Sequence, residues 1–545
     1  MTDTAAASAT SNWRLFANLT FVVILTANTV SAVGDAMYDT SISWLMTTLN
    51  KDPLMVSLVQ VSMSLPMFFL TLPAGALTDV VNLRKLLLVV EGATLAISCA
   101  FAAALSLGLV GPGLLLTATF LLGAASSLAA PAWMLVPPLV VPPADVGSAV
   151  ALNGAGYNLS RAIGPALAGL LIAAFSVKLP FWFYALGNGC VVATLIWWRA
   201  PPARDETLPA ERLVAALRAG VRYSLNSPEM IATLIRTLAF FPFACAFWAL
   251  LPLIAASGER DGAAVYGVLM GVIGVGSIVG SFGLNRWKTK FGPDRLAAGA
   301  TGGTILALVL FGAAGGPALA ILASFIGGAS WVVMMTSLFM SAQVALPEWV
   351  QGRGIAVYLT TYFGAATVGA AIWGKTASLV GVSNALYLSA GCTLIGLLAT
   401  QRWKLQTGAG LDLTPSLHWR EPAIATYARE EQGPVLATVE YSIDPKDRAP
   451  FLALMKEIGR ERKRDGAYAW NVFEDPLRPG IVVEACLLHS VLELKYARAR
   501  VTKADQLIEQ KAWAFLKAPP KPLYLIAVKE HERPENAVEA PKPAA

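Results

Sequence analysis

The residues best suited to chemistry in this chain sit where charge is least expected. Residues 147–171, GSAVALNGAGYNLSRAIGPALAGLL, form an apolar run long enough to cross a bilayer. The run nevertheless contains Asn153, Asn158 and Arg161, and it ends in Gly164–Pro165 with Gly169 beyond. A guanidinium this far from either end is costly unless it faces a partner or a watery cavity. The helix hydrogen bond that Pro165 cannot donate must be made good by neighbouring helices. A segment that tolerates these residues belongs to a pathway through a membrane protein.

Other charges fall in apolar runs as well. Asp35 and Asp39 are four residues apart in the first run, which puts both on one helix face. Glu91 and Arg236 lie in the third and seventh runs. A carboxyl group in an apolar setting can take up and release a proton near neutral pH. The sequence leaves two roles open for Asp35: handling a proton or substrate, or a static ion pair with Arg161 or Arg236. Glu91 is one or two helix turns inside its run, so a solvated position at the membrane interface is equally open.

The elements that must hold these residues follow from composition. The chain has 545 residues, of which 56% are hydrophobic and 14% charged. Soluble domains carry about 25% charged residues. Residues 1–404 hold 21 Lys and Arg against 15 Asp and Glu, whereas residues 405–545 hold 20 of each. The first region therefore reads as a membrane domain and the second as a soluble one. Apolar runs near 20–49, 54–78, 86–108, 113–136, 147–175 and 180–198 predict six spans. Runs near 230–256, 263–284, 294–313, 317–345, 354–378 and 384–403 predict six more. The five cysteines show no disulfide or metal-ligand spacing, and neither a metal nor another cofactor is expected. The first 13 residues contain no Lys or Arg, so no cleaved signal peptide is expected.

Lys and Arg in the short connections set the orientation. One side collects 15 of them, from Arg14 through Arg84 and Lys85 to Arg402 and Lys404, and the other collects only Lys51, Lys178, Arg260 and Lys375. Both termini and the central connection are expected in the cytoplasm. The expected organisation is a six-helix half (1–198), a linker with an amphipathic helix (199–229) and a second six-helix half (230–404). A linker (405–433), a soluble domain (434–530) and a disordered tail (531–545) follow. The halves also match each other at an offset of 205. Gly147, Gly164 and Gly169 become Gly352, Gly369 and Gly374, Pro142 becomes Pro347, and Gly75 becomes Gly280. Two similar halves suggest alternating access to a site near the midplane.

The connection after the second run reads Gly75-Ala-Leu-Thr-Asp79-Val-Val-Asn-Leu-Arg84-Lys85. This resembles the signature loop of the major facilitator superfamily, with Val80 and Asn82 where that pattern has Arg and Gly. The resemblance casts Gly75, Asp79, Arg84 and Lys85 as a gating loop. GDAMYDTSISWL (34–45), LPAGALTD (72–79), APAW (130–133), ALNGAGYNLSRAIGPALAG (151–169), FWALLPL (247–253) and GRGIAVYLTTYFGAATVGAAIWG (352–374) extend it. Together they look like the bacterial branch of enterobactin exporters and transmembrane secretion effectors. The run Asn158, Arg161, Gly164, Pro165 also resembles a motif of drug–proton antiporters. The resemblance implies proton-driven export of a small amphipathic molecule across a bacterial inner membrane. From their place in the apolar runs, Asp35, Asp39, Glu91, Asn153, Asn158, Arg161 and Arg236 are the candidates for coupling or substrate contact. Aromatic residues in the spans, among them Trp44, Tyr157 and Tyr362, suit stacking on such a molecule or simple helix packing.

Beyond residue 434 the pattern changes to strand, helix, two strands, helix, strand, which is the ferredoxin-like order. VLATVEYSI (435–443), a helix over 444–466 with Asp444, Pro445 and Gly466 as its signals, a strand pair, a helix over 491–517 and LYLIAV (523–528) make up the elements. This block resembles antibiotic-biosynthesis-monooxygenase-like domains, which dimerise through their sheets. Relatives carry a Trp and two His where this chain has Val491, Leu494 and Arg498, so catalysis is not expected. The basic run Arg460, Arg462, Lys463, Arg464 alternates with Glu457, Glu461 and Asp465 and reads as a solvated face. The expected fold is an all-α polytopic membrane protein of twelve helices in two pseudo-repeats, plus a small α+β domain. Expected partners are a small-molecule substrate, protons and the bilayer, with dimerisation through the soluble domain and no nucleic acid. The alternatives are a transporter-derived sensor or scaffold, and a membrane-tethered enzyme. The absence of a GxxxxGK[ST] loop argues against a nucleotide-driven pump.

Overall fold

The computed structural model describes residues 15–198, 213–256, 262–406, 412–419 and 432–527. The first half contributes helices α1 (Leu19–Leu49), α2 (Pro53–Val80), α3 (Leu83–Ser106), α4 (Pro112–Met134), α5 (Val146–Ala174) and α6 (Leu179–Trp197). A helix α7 (Leu213–Asn226) precedes the second half. That half holds α8 (Pro228–Ala244), α9 (Ala246–Ala256), α10 (Gly262–Phe291), α11 (Pro293–Gly312), α12 (Pro317–Val344), α13 (Gln351–Val380) and α14 (Val382–Ala399). Each predicted span corresponds to a helix, the seventh being interrupted at Cys245 between α8 and α9. Among the described residues, 11 helices or helix pairs are long and apolar enough to cross a membrane. The predicted fifth span, α5, is a 29-residue helix beside them.

Local signals start and stop these helices. Asn18, Asp52 and Asn82 accept hydrogen bonds from first-turn amides of α1, α2 and α3. Pro53, Pro112 and Pro293 sit at the first helical position, where a missing N–H costs nothing. Ser and Thr inside the spans donate to carbonyls one turn back, as Thr119 does to Leu115 and Thr304 to Ala300. Their hydroxyls are thereby satisfied without water.

The chain divides into two compact units. The first comprises Met1–Leu217, Ala232–Val344 and Gly352–Thr407. Inside it the repeat glycines perform matching tasks. A β-carbon at Gly164 of α5 would collide with Ala36 of α1, and one at Gly369 of α13 would collide with Pro242 of α8. Gly169 of α5 meets Gly267 of α10, and Gly374 of α13 meets Ser57 of α2. Gly164 and Gly369 therefore close contacts within each half, while Gly169 and Gly374 close contacts between the halves. Gly123 and Gly328, also 205 apart, pack α4 on α2 and α12 on α10. Gly147 and Gly352 have open space where a side chain would be, so they close no helix contact.

The second unit comprises Arg218–Ile231, Ala345–Gln351 and Gly408–Ala545. Its sheet is β1 (Val435–Ile443), β2 (Ala469–Glu474), β3 (Ile481–Leu488) and β4 (Leu516–Ile526), antiparallel in the order β2-β3-β1-β4. Helices α15 (Arg448–Asp465), α16 (Val491–Arg500) and α17 (Lys503–Trp513) complete it. This is the ferredoxin-like order, with two differences from expectation. The helix predicted over 491–517 is split, because Thr502 starts α17 with a capping box to Asp505 while Val501 is extended. The last strand begins at Leu516 instead of 523. Pro519, Pro520 and Pro522 are tolerated there because β4 is an edge strand.

The second unit also corrects the reading of the basic run. Arg460 and Lys463 are exposed, but Glu461, Arg464 and Asp465 are buried and Arg462 is nearly so. Arg462 pairs with Glu484 at 3.0 Å and Glu509 at 2.7 Å. Tyr441 and Trp470 donate to Glu484, and His418 and Trp419 reach Glu509 at 2.7 and 3.1 Å. Residues 412–419, expected as linker, thus lie against α17. Thr414 and Asp412 accept from the amides of Lys503 and Ala504, and Ser416 donates to Val501. Burial alone would raise the Glu509 carboxyl, but the Arg462 charge and the His418 and Trp419 hydrogen bonds hold it at about 2. The predicted segments 199–212 and 531–545 lie outside the described residues.

Candidate functional site

Contacts between the halves gather toward the end of the bundle that carries residues 50–52 and 381. Trp44 of α1 stacks on Tyr266 of α10, with centroids 6.0 Å apart. Ser378 donates to Asp52 at 2.7 Å, and Ser64 and Thr367 share a hydrogen bond of 2.7 Å. Gly169 and Gly267 bring α5 onto α10 at the same end. Away from it, Asp35, Asp39, Tyr157 and Arg161 are exposed although each lies inside a membrane-length helix. Exposed charge at mid-helix, flanked by residues of both halves, marks a water-accessible space between the halves.

Asp39 of α1 and Arg161 of α5 lie within electrostatic reach of each other. Arg161 lies within electrostatic reach of Asp39, Tyr157 and Tyr362, and its Nη1 is 3.5 Å from the Tyr157 hydroxyl. Tyr362 belongs to α13, so the second half supplies part of the surroundings of a first-half charge. Asp39 is near Tyr266 of α10. Asp35, one turn earlier, lies near Tyr184 of α6 and in the field of Asp39. Gly34 permits this approach, because its α-carbon packs on the Tyr184 backbone. The arrangement exposes two carboxylates, one guanidinium and the Tyr157 ring, with Tyr362 half-buried and Tyr184 and Tyr266 buried behind them. Tyr184 and Tyr266 escaped sequence reasoning, because a single tyrosine in an apolar run carries no spacing signal.

The other expected residues lie elsewhere. Arg236 does not pair with Asp35. It bonds Asp294 at the start of α11 at 3.0 Å, and the same carboxylate accepts from the Leu405 amide. Arg236 is thereby a strut among α8, α11 and the chain after α14. Glu91 is buried instead of solvated, and its Oε1 accepts from Trp133 of α4 at 2.7 Å. Asn153 lines a shallow, partly open cleft in the first half with Phe21, Ile24, Asn28, Trp133 and Pro137. Arg84 donates to the carbonyls of Leu195 and Ile196 at 3.0 and 2.8 Å, so it caps the end of α6. Lys85 is exposed. The side chains of Asp79 and Asn158 lie outside the described residues. Among the aromatics, Trp248 and Tyr358 pack in the second half, and Trp373 donates to the Pro242 carbonyl at 2.8 Å. No group of three metal-ligating side chains occurs among the described residues.

Two six-helix halves, matched glycine contacts and a charged space between them define a multi-pass transporter of the major facilitator superfamily. Residues 10–535 match the transmembrane secretion effector family, and the chain belongs to it. It is 27% identical over 390 residues to an uncharacterised MFS-type transporter of Bacillus subtilis, covering 69% of this chain and 90% of the relative. It is 26% identical over 341 residues to the enterobactin exporter of Citrobacter koseri, covering 61% and 79%. The solved structure of the nucleoside transporter NupG shares the fold with a TM-score of 0.58 at 11% identity, over 71% of this chain and 99% of its own. A POT family transporter in complex with 5-aminolevulinic acid gives 0.56 at 13% identity, over 70% and 94%.

Proposed function

We propose that this chain is a proton-coupled exporter of a small amphipathic molecule, siderophore-like or drug-like, working by alternating access. The observation that carries the reading is the exposure of Asp39 and Arg161 inside membrane-length helices and within electrostatic reach of each other, with Asp35 one turn away. Ionised carboxylates accept hydrogen bonds from hydroxyl, amide or ammonium groups of a substrate. A proton arriving at the same carboxylates removes their charge and releases those groups. Substrate and proton then compete for one site, which is the requirement for antiport. Arg161, with Tyr157 and Tyr362 beside it, takes the acceptor groups of the substrate, and the tyrosine and tryptophan faces take its rings. Similarity to enterobactin exporters supports the direction and the substrate class.

The bias of Lys and Arg supports placement in a bacterial inner membrane with both termini and the soluble unit in the cytoplasm. The soluble unit acts without catalysis in this reading. Glu484 and Glu509 are paired with Arg462, Asp465 and Asp505 are paired with Arg464, and residues 412–419 lie against Glu509. Its helix-free sheet face carries Leu523, Leu525 and Phe473 exposed, which supports dimerisation through the sheet.

The test is efflux driven by a pH gradient in inside-out vesicles, with enterobactin, dyes and other siderophores as probes. Asp35→Asn and Asp39→Asn are each expected to abolish gradient-driven accumulation while the protein still inserts. Parent rates from both variants would remove the carboxylates from the mechanism.

A further inference from the structure

The soluble unit contains more than the α/β fold. Arg218–Ile231 and Ala345–Gln351 are part of it, although both come from connections of the second membrane half. The contacts are specific. Arg222 of α7 bonds Glu493 of α16 at 2.8 Å, and Arg500 bonds the same carboxylate oxygen at 2.8 Å. Tyr223, the next residue, is 1% exposed. Its hydroxyl donates to the Ala345 carbonyl at 3.2 Å, and its ring meets Trp349 edge-on at 5.8 Å. The guanidinium of Arg464 lies 5.3 Å over Tyr223, and that of Arg500 lies 4.4 Å over Trp349. Ser490 caps α16 and fixes Glu493 in its first turn, which aims the carboxylate at both arginines. Arg500 is held in turn by the Asp465 carbonyl.

Both gripped segments run directly into membrane helices. Ser227 alone separates α7 from α8, and its hydroxyl accepts from the Met230 amide at the start of α8. Trp349 is two residues before α13 begins. Helices α8 and α13 are themselves joined farther along, where Gly369 packs on Pro242 and Trp373 donates to it. Tyr362, one of the groups around Arg161, lies on α13 between these two attachments.

We propose that the α/β domain is an intramolecular clamp that grips the leading ends of α8 and α13 and makes the two helices move as one piece. The partner of its α15–α16 surface is the chain's own α7 and 345–350 turn. Anything that binds or modifies that surface then acts on the two helices. The clamp does not depend on what is transported or on protons, so its test stands apart from that of the export reading.

The experiment is hydrogen–deuterium exchange on the full-length protein in nanodiscs, comparing the parent with Glu493→Ala and Trp349→Ala. Each variant is expected to speed exchange in both 218–231 and 345–351 at least tenfold, while β1 and β3 keep their protection. Trp349 is outside the α/β fold, so its variant decides the matter if Glu493→Ala also loosens the sheet. Parent-like exchange in 218–231 of Trp349→Ala would overturn the proposal, because the two segments would then be held independently.

Discussion

Glu461 offers a measurable consequence of burying a carboxyl in the soluble unit. It lies on α15 with 6% of its surface exposed, and its Oε2 has no hydrogen-bond partner among the described residues. Burial pushes its carboxyl up to about 8, and the nearby Asp505 charge adds to that. The arginines on either side only partly oppose the shift, since Arg462 is committed to Glu484 and Glu509 and Arg464 to Asp465 and Asp505. The folded carboxyl therefore binds a proton that the unfolded chain has lost by neutral pH. The resulting stability is fully present below the unfolded value of 4.5 and is lost as pH rises toward about 8. Glu461→Gln keeps the shape without the titration. Relative to that variant, the parent pays about 2 kcal/mol at about pH 6 and about 4 kcal/mol at about pH 8. The assay is hydrogen exchange of α15 amides in the full-length protein, parent against variant at each pH, converted to opening free energies. The variant is expected to be the more protected of the two at the higher pH. The gain should widen by about 2 kcal/mol between the two conditions. Any fixed cost of the new amide cancels in that difference. A gap of equal size at both values would refute the assignment of a protonated, buried Glu461.

Four further outcomes follow from the packing already described. Gly169→Val places a side chain where Gly267 Cα stands 2.6 Å away, so it should lower the melting temperature of the purified protein strongly. Gly147→Ala, with nothing within 4 Å, should leave that temperature unchanged. Asp294→Ala strips the buried Arg236 of its partner and should cost about 3 kcal/mol, read as a lower denaturation midpoint. His418→Ala removes the bond to Glu509 and should speed exchange of the 412–419 amides roughly tenfold, a loss of about 1.4 kcal/mol.

The membrane fold was legible because hydrocarbon imposes one solution on the backbone. Runs of twenty apolar residues become helices whatever their order, and Pro and Gly mark their ends. The glycine repeat was legible for a related reason, since Gly164, Gly169, Gly369 and Gly374 sit where backbones touch. The partners of the charges were not legible. Arg236 and Arg161 look alike in the sequence, yet one braces Asp294 and the other faces the central space. Only helix packing decides which side of a span a residue presents. The bonds of Arg84 to the end of α6 were hidden for the same reason, because they require the far end of another helix. In the soluble unit, alternation of Arg462, Lys463 and Arg464 with acids suggested a solvated face. The sheet and α17 brought Glu484, Asp505 and Glu509 from far along the chain to bury half of it.

The repeat separates what the bundle needs from what its centre does. Gly164 and Gly369 make corresponding contacts within the halves, and Gly169 and Gly374 make corresponding contacts between them. The charges follow no such rule. At the offset of 205, Asp35 and Asp39 become Phe240 and Ala244, and Arg161 becomes Ala366. The second half instead brings Tyr266 and Tyr362 to the same space. Titratable acid and base thus sit on one half together with Tyr157 and Tyr184, and the second half contributes only phenols. A rocking motion of the halves need not break the Asp39–Arg161 pair, because α1 and α5 move together, joined at Gly164. It must change what Tyr266 and Tyr362 offer that pair, since they ride on the opposite half. Under the proton-coupled export proposed above, the coupling step is assigned to the cross-half approach of Arg161 and Asp39 to these two tyrosines. Tyr266→Phe with Tyr362→Phe should uncouple substrate flux from the pH gradient while substrate still binds. Unchanged coupling in the double variant would place the step within the first half alone.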